Sequence, residues 1–130
     1  MFKIKEAVIE SILLATKASF PNEFFALLGG EKEQKIIDEL VIVPVIQGDK
    51  FVLIKEHLIP FDSRIIGSIH SHPSKNARPS KADLKQFSRK GLIHLIVGFP
   101  YDLNSIKCYD FNGIETSLFI QSLQMLFLFH

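Results

Sequence analysis

A single cysteine, Cys108, stands in the 130 residues of this chain. An internal disulfide and a thiolate metal cage are therefore excluded, and the usage agrees with a reducing compartment. Net charge is almost lacking too, at +1 with the histidines neutral, which removes any general attraction to nucleic acid or an anionic membrane. No apolar run approaches the roughly 20 residues that a bilayer-spanning helix needs. The most apolar segment, "SLFIQSLQMLFLFH", is interrupted by Gln121, Ser122 and Gln124. The N-terminal "MFKIKEAVIESILLATKAS" carries Glu6 and Glu10 among its apolar residues and lacks a small-residue cleavage site, so it does not read as a signal peptide. Internal repeats and low-complexity linkers are also missing. A soluble cytoplasmic protein with no membrane segment is expected.

What is present is ordinary globular material, 47% apolar and 22% charged, in a length that suits one domain with one core. A single domain over 1–130 is expected, with 121–130 an apolar tail of unassigned role; self-association through that tail is one expectation, because an exposed patch of this character is a solubility liability. From Lys5 to Ser19, Val8, Ile9, Ile12, Leu13 and Ala15 recur at helical spacing up to Pro21. "EFFALLGG", "IIDELVIVPVI", "GDKFVLI", "RIIGSIHSH" and "LIHLIVGF" read as strands. "PSKADLKQFSRKG" has a helix start at Ser80 and a stop at Gly91. "SIKCYDFNGIETSLFI" shows two alternating runs around Asn112-Gly113, a strong hairpin signal. The order predicts an α/β domain with a mixed sheet and flanking helices.

The stretch "GSIHSHPSKNARPSKADL" holds the chemistry. On a strand, His70 and His72 point to one side while Ser71 points away, and Pro73 keeps His72 extended. Two imidazoles so placed can share a cation, and Asp83, in the first turn of the next helix, can complete an open three-ligand zinc site with water in the fourth position. Each part also has a purely structural meaning. His-x-His on a strand is commonly surface or core, and Ser80-x-x-Asp83 satisfies an N-terminal capping box. Glu23 stands at the mouth of an apolar run, where partial desolvation raises a carboxyl toward the range of a useful general base and acid; nothing in its local spacing brings it to the histidines.

Glu23, His70-Ser71-His72-Pro73, Ser80 after seven intervening residues, and Asp83 three positions later together resemble the JAMM, or MPN+, family of zinc metalloproteases. The similarity runs through "PNEFFALLGG", "GSIHSHPS", "RPSKADL", "HLIVGFPYD" and the "IKCYDFNG" hairpin, up to about Ile120; only "QSLQMLFLFH" has no counterpart. The chain looks like the compact archaeal and bacterial type. The resemblance implies the MPN/JAMM fold, similar to cytidine-deaminase-like architecture. It implies one Zn2+ with a bound water on His70, His72 and Asp83, Glu23 holding that water and taking its proton, and Ser80 hydrogen-bonding the oxyanion. It further implies hydrolysis of the isopeptide or peptide bond after the C-terminal diglycine of a ubiquitin-like protein, which would be the partner.

Other readings stand beside that one. The same metal chemistry would release cysteine or another small adduct from a ubiquitin-fold sulfur carrier. Many MPN domains have lost the metal site and serve as scaffold subunits, against which the intact residues argue. Lys75, Arg78, Lys81, Lys85, Arg89 and Lys90 crowd one segment, but without interleaved aromatics this reads as a solvated face or a rim attracting an acidic protein rather than a nucleic-acid module. His94, in an apolar strand, reads as a satisfied core histidine, His57 as a loop or strand end, and Cys108 as inert.

Overall fold

The computed structural model describes residues 1–43, 45–47, 52–54 and 63–122. In chain order these form β1 (Phe2–Lys5), α1 (Glu6–Ser19), β2 (Phe25–Glu31), β3 (Ile36–Val41), β4 (Val45–Gln47), β5 (Val52–Ile54), β6 (Ile65–Ser71), α2 (Lys81–Lys90), β7 (Ile93–Val97), a short 3-10 turn at Leu103–Ser105, β8 (Ile106–Asp110), β9 (Glu115–Thr116) and β10 (Leu118–Gln121). His57 and residues 123–130 of the apolar tail lie outside the described residues.

The helical spacing near the N-terminus is realised in α1, which buries Val8, Ile9, Ile12 and Thr16. Glu6 in its first turn and Lys17 in its last complement the helix dipole. The helix ends at Phe20, ahead of Pro21, whose ring cannot continue it. Ahead of α1, β1 is a short strand that its own four residues do not announce. It exists because it is sandwiched, pairing in parallel with β3 on one side and β10 on the other.

The main sheet has the order β10-β1-β3-β2-β6-β7-β8-β9, and β4 pairs with β5 apart from it. The run 36–46 is thus two strands and not one; Pro44, between them in the sequence, brings no backbone N–H to a ladder. The expected turn at Asn112-Gly113 does join β8 to β9, with Gly113 at φ 80°. The second run then breaks at Ser117, and β10 departs to pair with β1. Since β9 and β10 stand at opposite ends of the strand order with one residue between them, the sheet bends round on itself, with α1 against β1, β3 and β10.

Strand register divides the side chains into two faces. Ala26, Leu28, Ile69, Leu95, Val97 and Cys108 join Ile9 and Ile12 of α1 in the main core. The alternate residues face the other way. Phe25 pairs with His70, Leu27 with Ser68, His70 with Ile96, and His94 with Tyr109, so His70 sits on the face away from α1. There α2 packs against β6. Gly67 lets β6 and β7 close on each other: a Cβ at that position would lie 1.8 Å from the carbonyl oxygen of Ile93, a contact only glycine avoids.

Candidate metal centre

Three local features bring the polar residues together. β6 carries His70 on its last turns of the pleat, and the chain continues extended through His72, whose N–H donates to the Val97 carbonyl at 2.9 Å. Ser80 is the N-cap of α2 and Asp83 its third residue. The Asp83 N–H donates to Ser80 Oγ at 3.1 Å and the Ser80 N–H donates to Asp83 Oδ2 at 2.8 Å, a reciprocal capping box. Capping and site-building are the same geometry here: the box fixes the Asp83 carboxylate at the helix N-terminus, aimed back at the strand end.

The result is a tight triangle. His70 Nε2 lies 3.2 Å from His72 Nε2 and 3.1 Å from Asp83 Oδ1, and His72 Nε2 lies 3.3 Å from Asp83 Oδ2. A tetrahedral zinc with bonds of about 2.0–2.1 Å requires ligand–ligand edges of roughly 3.3–3.4 Å, so the residues fit that ion. Proton assignment agrees. His72 Nδ1 is 2.9 Å from the Asn76 carbonyl oxygen, which only accepts; Nδ1 therefore carries the proton and Nε2 turns a lone pair toward His70 and Asp83. Among the described residues, His70, His72 and Asp83 are the His/Cys/Asp/Glu group able to hold a metal, each offering one atom within 4.8 Å of the others.

The electrostatics are those of a strongly coupled site. Burial works against the Asp83 carboxylate, yet the hydrogen bonds to His70 and His72, the charge of His70 and the Ser80 N–H hold its pKa far below the usual carboxylate range. Burial also opposes charge on His72, but the hydrogen bond to Asp83, the Asn76 carbonyl and the fields of Asp83 and Glu23 outweigh it and raise its pKa. Glu23 is partly buried. Desolvation raises its carboxyl above the ordinary value, His70 and His72 pull against that rise, and Asp83 adds to it. Glu23 therefore belongs to the same electrostatic cluster as the triangle, a placement that its position in the sequence could not supply.

Ser71 and the sheet register supply it. Ser71 points away from the metal face, is fully buried, accepts from the Phe24 N–H at 2.8 Å through Oγ and donates its own N–H to the Phe24 carbonyl at 2.9 Å. This two-point clasp sits beside the Phe25–His70 pair and delivers Glu23, one residue earlier, to the histidines. Tyr101 is a second residue that motif spacing misses. Buried, with φ 64°, it donates its hydroxyl to the His72 carbonyl at 3.3 Å. It also packs edge-on against Phe20, near the start of the Glu23 loop, with ring centres 5.9 Å apart. The only sequence signal for it is the aromatic-rich turn "GFPYD" after β7. Cys108, by contrast, is buried on the far face, and burial chiefly, with Asp110 and Glu115, pushes its thiol up to about 12; it plays no part in the site.

Comparison with known proteins agrees with this geometry. The family of prokaryotic homologues of the JAB domain matches residues 5–109. A curated protein of Haloferax volcanii named "Probable metalloprotease" is 31% identical over 128 residues, covering 87% of this chain and 79% of its own length. Among solved structures, one described as "JAMM: A Metalloprotease-like Zinc Site in the Proteasome and Signalosome" shares 38% identity, covers 93% of this chain and 98% of its own, and superposes with a TM-score of 0.73. A JAB1/MPN domain protein from Archaeoglobus fulgidus shares 37% identity over 93% of this chain and 97% of its own, again at 0.73. A protein from Desulfitobacterium hafniense, 20% identical with a TM-score of 0.63 over 94% of each chain, shares the fold. The mixed α/β sheet with its His-His-Asp centre defines the JAB/JAMM class. This chain belongs to the JAB domain family, in its prokaryotic branch.

Proposed function

We propose that the chain is a zinc-dependent isopeptidase or peptidase that hydrolyses the bond after the C-terminal diglycine of a ubiquitin-like protein. The observation that carries the reading is the convergence of a three-ligand set with the right edges and a partly buried glutamate coupled to it. His70, His72 and Asp83 would hold a zinc ion, which would supply Lewis acidity toward the scissile carbonyl and lower the pKa of water to about 7.

The protein's own residues do the rest. Glu23, partly buried beside the ligands, accepts the proton of the attacking water and passes it to the departing amine, base first and acid second. Ser80 Oγ uses a lone pair to cap Asp83, which leaves its hydroxyl proton to donate to the carbonyl oxygen as negative charge develops there. Asn76 and Tyr101 hold His72 from its ring nitrogen and its backbone carbonyl. A diglycine end bound extended brings no bulky side chains to the place where the N-terminus of α2 meets the end of β6.

The test is incubation of a lysine-linked ubiquitin-like conjugate with zinc-loaded protein, beside Glu23→Gln and a chelated sample, read by intact mass. A released tail ending in diglycine, absent from both controls, is expected. Release of free cysteine from a sulfur-carrier C-terminus, with conjugates left whole, would transfer the function to that adduct. No turnover of either substrate by the zinc-loaded protein would contradict the enzymatic reading and favour a scaffold.

A further inference from the structure

The loop between His72 and Ser80 has a second face. Where it meets β8 it encloses a cleft of about 270 Å3 lined by Lys75, Asn76, Arg78, Lys107, Tyr109 and Glu115, among others. Lys75 and Arg78 are exposed and have no ion pair among the described residues. Lys107 has one, to Glu115 at 3.5 Å, and Glu115 is the single acid on the wall. The cleft is therefore cationic inside a chain whose net charge is only +1.

Its wall is built and not merely crowded. The Tyr109 hydroxyl donates to the Ala77 carbonyl at 2.8 Å, the Arg78 N–H donates to Asn76 Oδ1 at 2.9 Å, and the Phe99 N–H donates to the Ser74 carbonyl at 2.8 Å. Ala77 and Tyr109 are buried with Ile96. The two free cations thus project from a fixed backbone, which lowers the ordering cost of binding. The cleft neighbours the metal centre through one residue, since Asn76 lines it and holds His72 Nδ1 with its backbone carbonyl.

We propose that this cleft is a docking site for acidic side chains of the protein substrate, engaged while the scissile bond lies at the metal centre. The choice of a protein substrate rests on the peptidase reading above. Charge complementarity of this kind selects partners and speeds encounter. A nucleic acid fits less well: the concavity is short, and its one aromatic, Tyr109, is buried with 5% exposure, offering no face on which bases could stack.

The test reads binding alone and needs no turnover. A fluorescein-labelled hexaglutamate peptide is titrated with the zinc-loaded full chain at low salt and followed by anisotropy, beside a hexanucleotide DNA probe. Saturable peptide binding is expected, weakened about tenfold by Lys75→Glu/Arg78→Glu, severalfold by Lys75→Gln/Arg78→Gln, and not by Lys32→Glu on a distant surface. The glutamine pair decides the matter if the reversed pair fails to fold by circular dichroism. Absence of saturable binding, binding indifferent to the glutamine pair, or tighter capture of the DNA would each overturn the proposal. Peptide binding by a protein that leaves the conjugate of the preceding assay whole would instead count against the peptidase reading, and conjugate hydrolysis without peptide binding against the cleft alone.

Discussion

Two histidine sites lie on the same face of β6 and its neighbour, and they differ in what their lone pairs meet. His94 is fully buried beside Ser68; its Nδ1 is 2.7 Å from Ser68 Oγ and its Nε2 is 3.1 Å from the Gly91 carbonyl. That carbonyl accepts only, so Nε2 carries the proton and Nδ1 takes one from the serine. Every group has its complement, and the pair ties the end of α2 to β6. Two residues further along β6, His70 meets His72 and Asp83, three metal-ligating atoms that converge on one point and must share protons or a cation. The first arrangement is complete as neutral protein, whereas the second gathers the ligand set of a cation. A metal site is marked by converging lone pairs, not by histidine itself.

That contrast can be broken by substitution, and the largest effect belongs to the ligands. Asp83→Ala is expected to abolish zinc retention, measured by inductively coupled plasma mass spectrometry, and activity with it. Ser68→Ala is expected to keep zinc and activity while costing about 1–3 kcal/mol in denaturant unfolding, because His94 loses its donor in a buried place.

Next in size is Glu23→Gln, expected to lower kcat about 10^3-fold with zinc content unchanged. It carries a second, opposite signature in the metal-free protein. A carboxyl whose folded pKa is raised adds stability below its unfolded pKa of about 4.3 and loses it as pH rises through the folded value. At neutral pH the buried Glu23 charge therefore works against folding, and Glu23→Gln should raise the Tm of the metal-free protein. Zinc reverses the sign of the local field and should return the carboxyl toward its ionised form. A carbon-13 titration of the Glu23 carboxyl with and without zinc reads this directly. A metal-free pKa at or below the ordinary value would contradict the burial argument.

Ser80 separates its two duties by choice of replacement. Ser80→Ala should cost both about 10^2-fold in rate and about 1 kcal/mol of stability, while Ser80→Gly, tolerated at an N-cap, should retain most of the stability and lose the same rate. Equal rates for Ser80→Gly and the native protein would confine Ser80 to capping. The smallest effect is that of Cys108: with its thiol pushed up to about 12, native protein should resist thiol-directed alkylation that proceeds readily after denaturation.

How much of this could be read from the sequence follows from which interactions are local. The helix at 81–90, the turn at Asn112-Gly113 and the pairing of His70 with His72 rest on caps, turn chemistry and strand alternation, all expressed within a few residues. The satisfied state of His94 could also be anticipated from its apolar strand. β1 could not, nor could the break at Ser117 that sends β10, read as the end of the hairpin's second run, across to pair with β1. The 36–46 run misleads because β-branched residues continue across Pro44 while the ladder does not. At the site, the family resemblance pointed to Glu23, but its physical arrival depends on the Phe25–His70 register and on the Ser71 clasp with Phe24. Asn76 and Tyr101 act through a backbone carbonyl and a backbone acceptor, roles that spacing of residue types does not encode.

Isothermal titration of zinc into the metal-free chain, compared with the same titration of Asp83→Ala and Ser68→Ala, tests the lone-pair account most directly. One equivalent bound by the native chain and by Ser68→Ala, and none by Asp83→Ala, is the predicted result. Native-like binding to Asp83→Ala, or loss of binding in a folded Ser68→Ala, would contradict it.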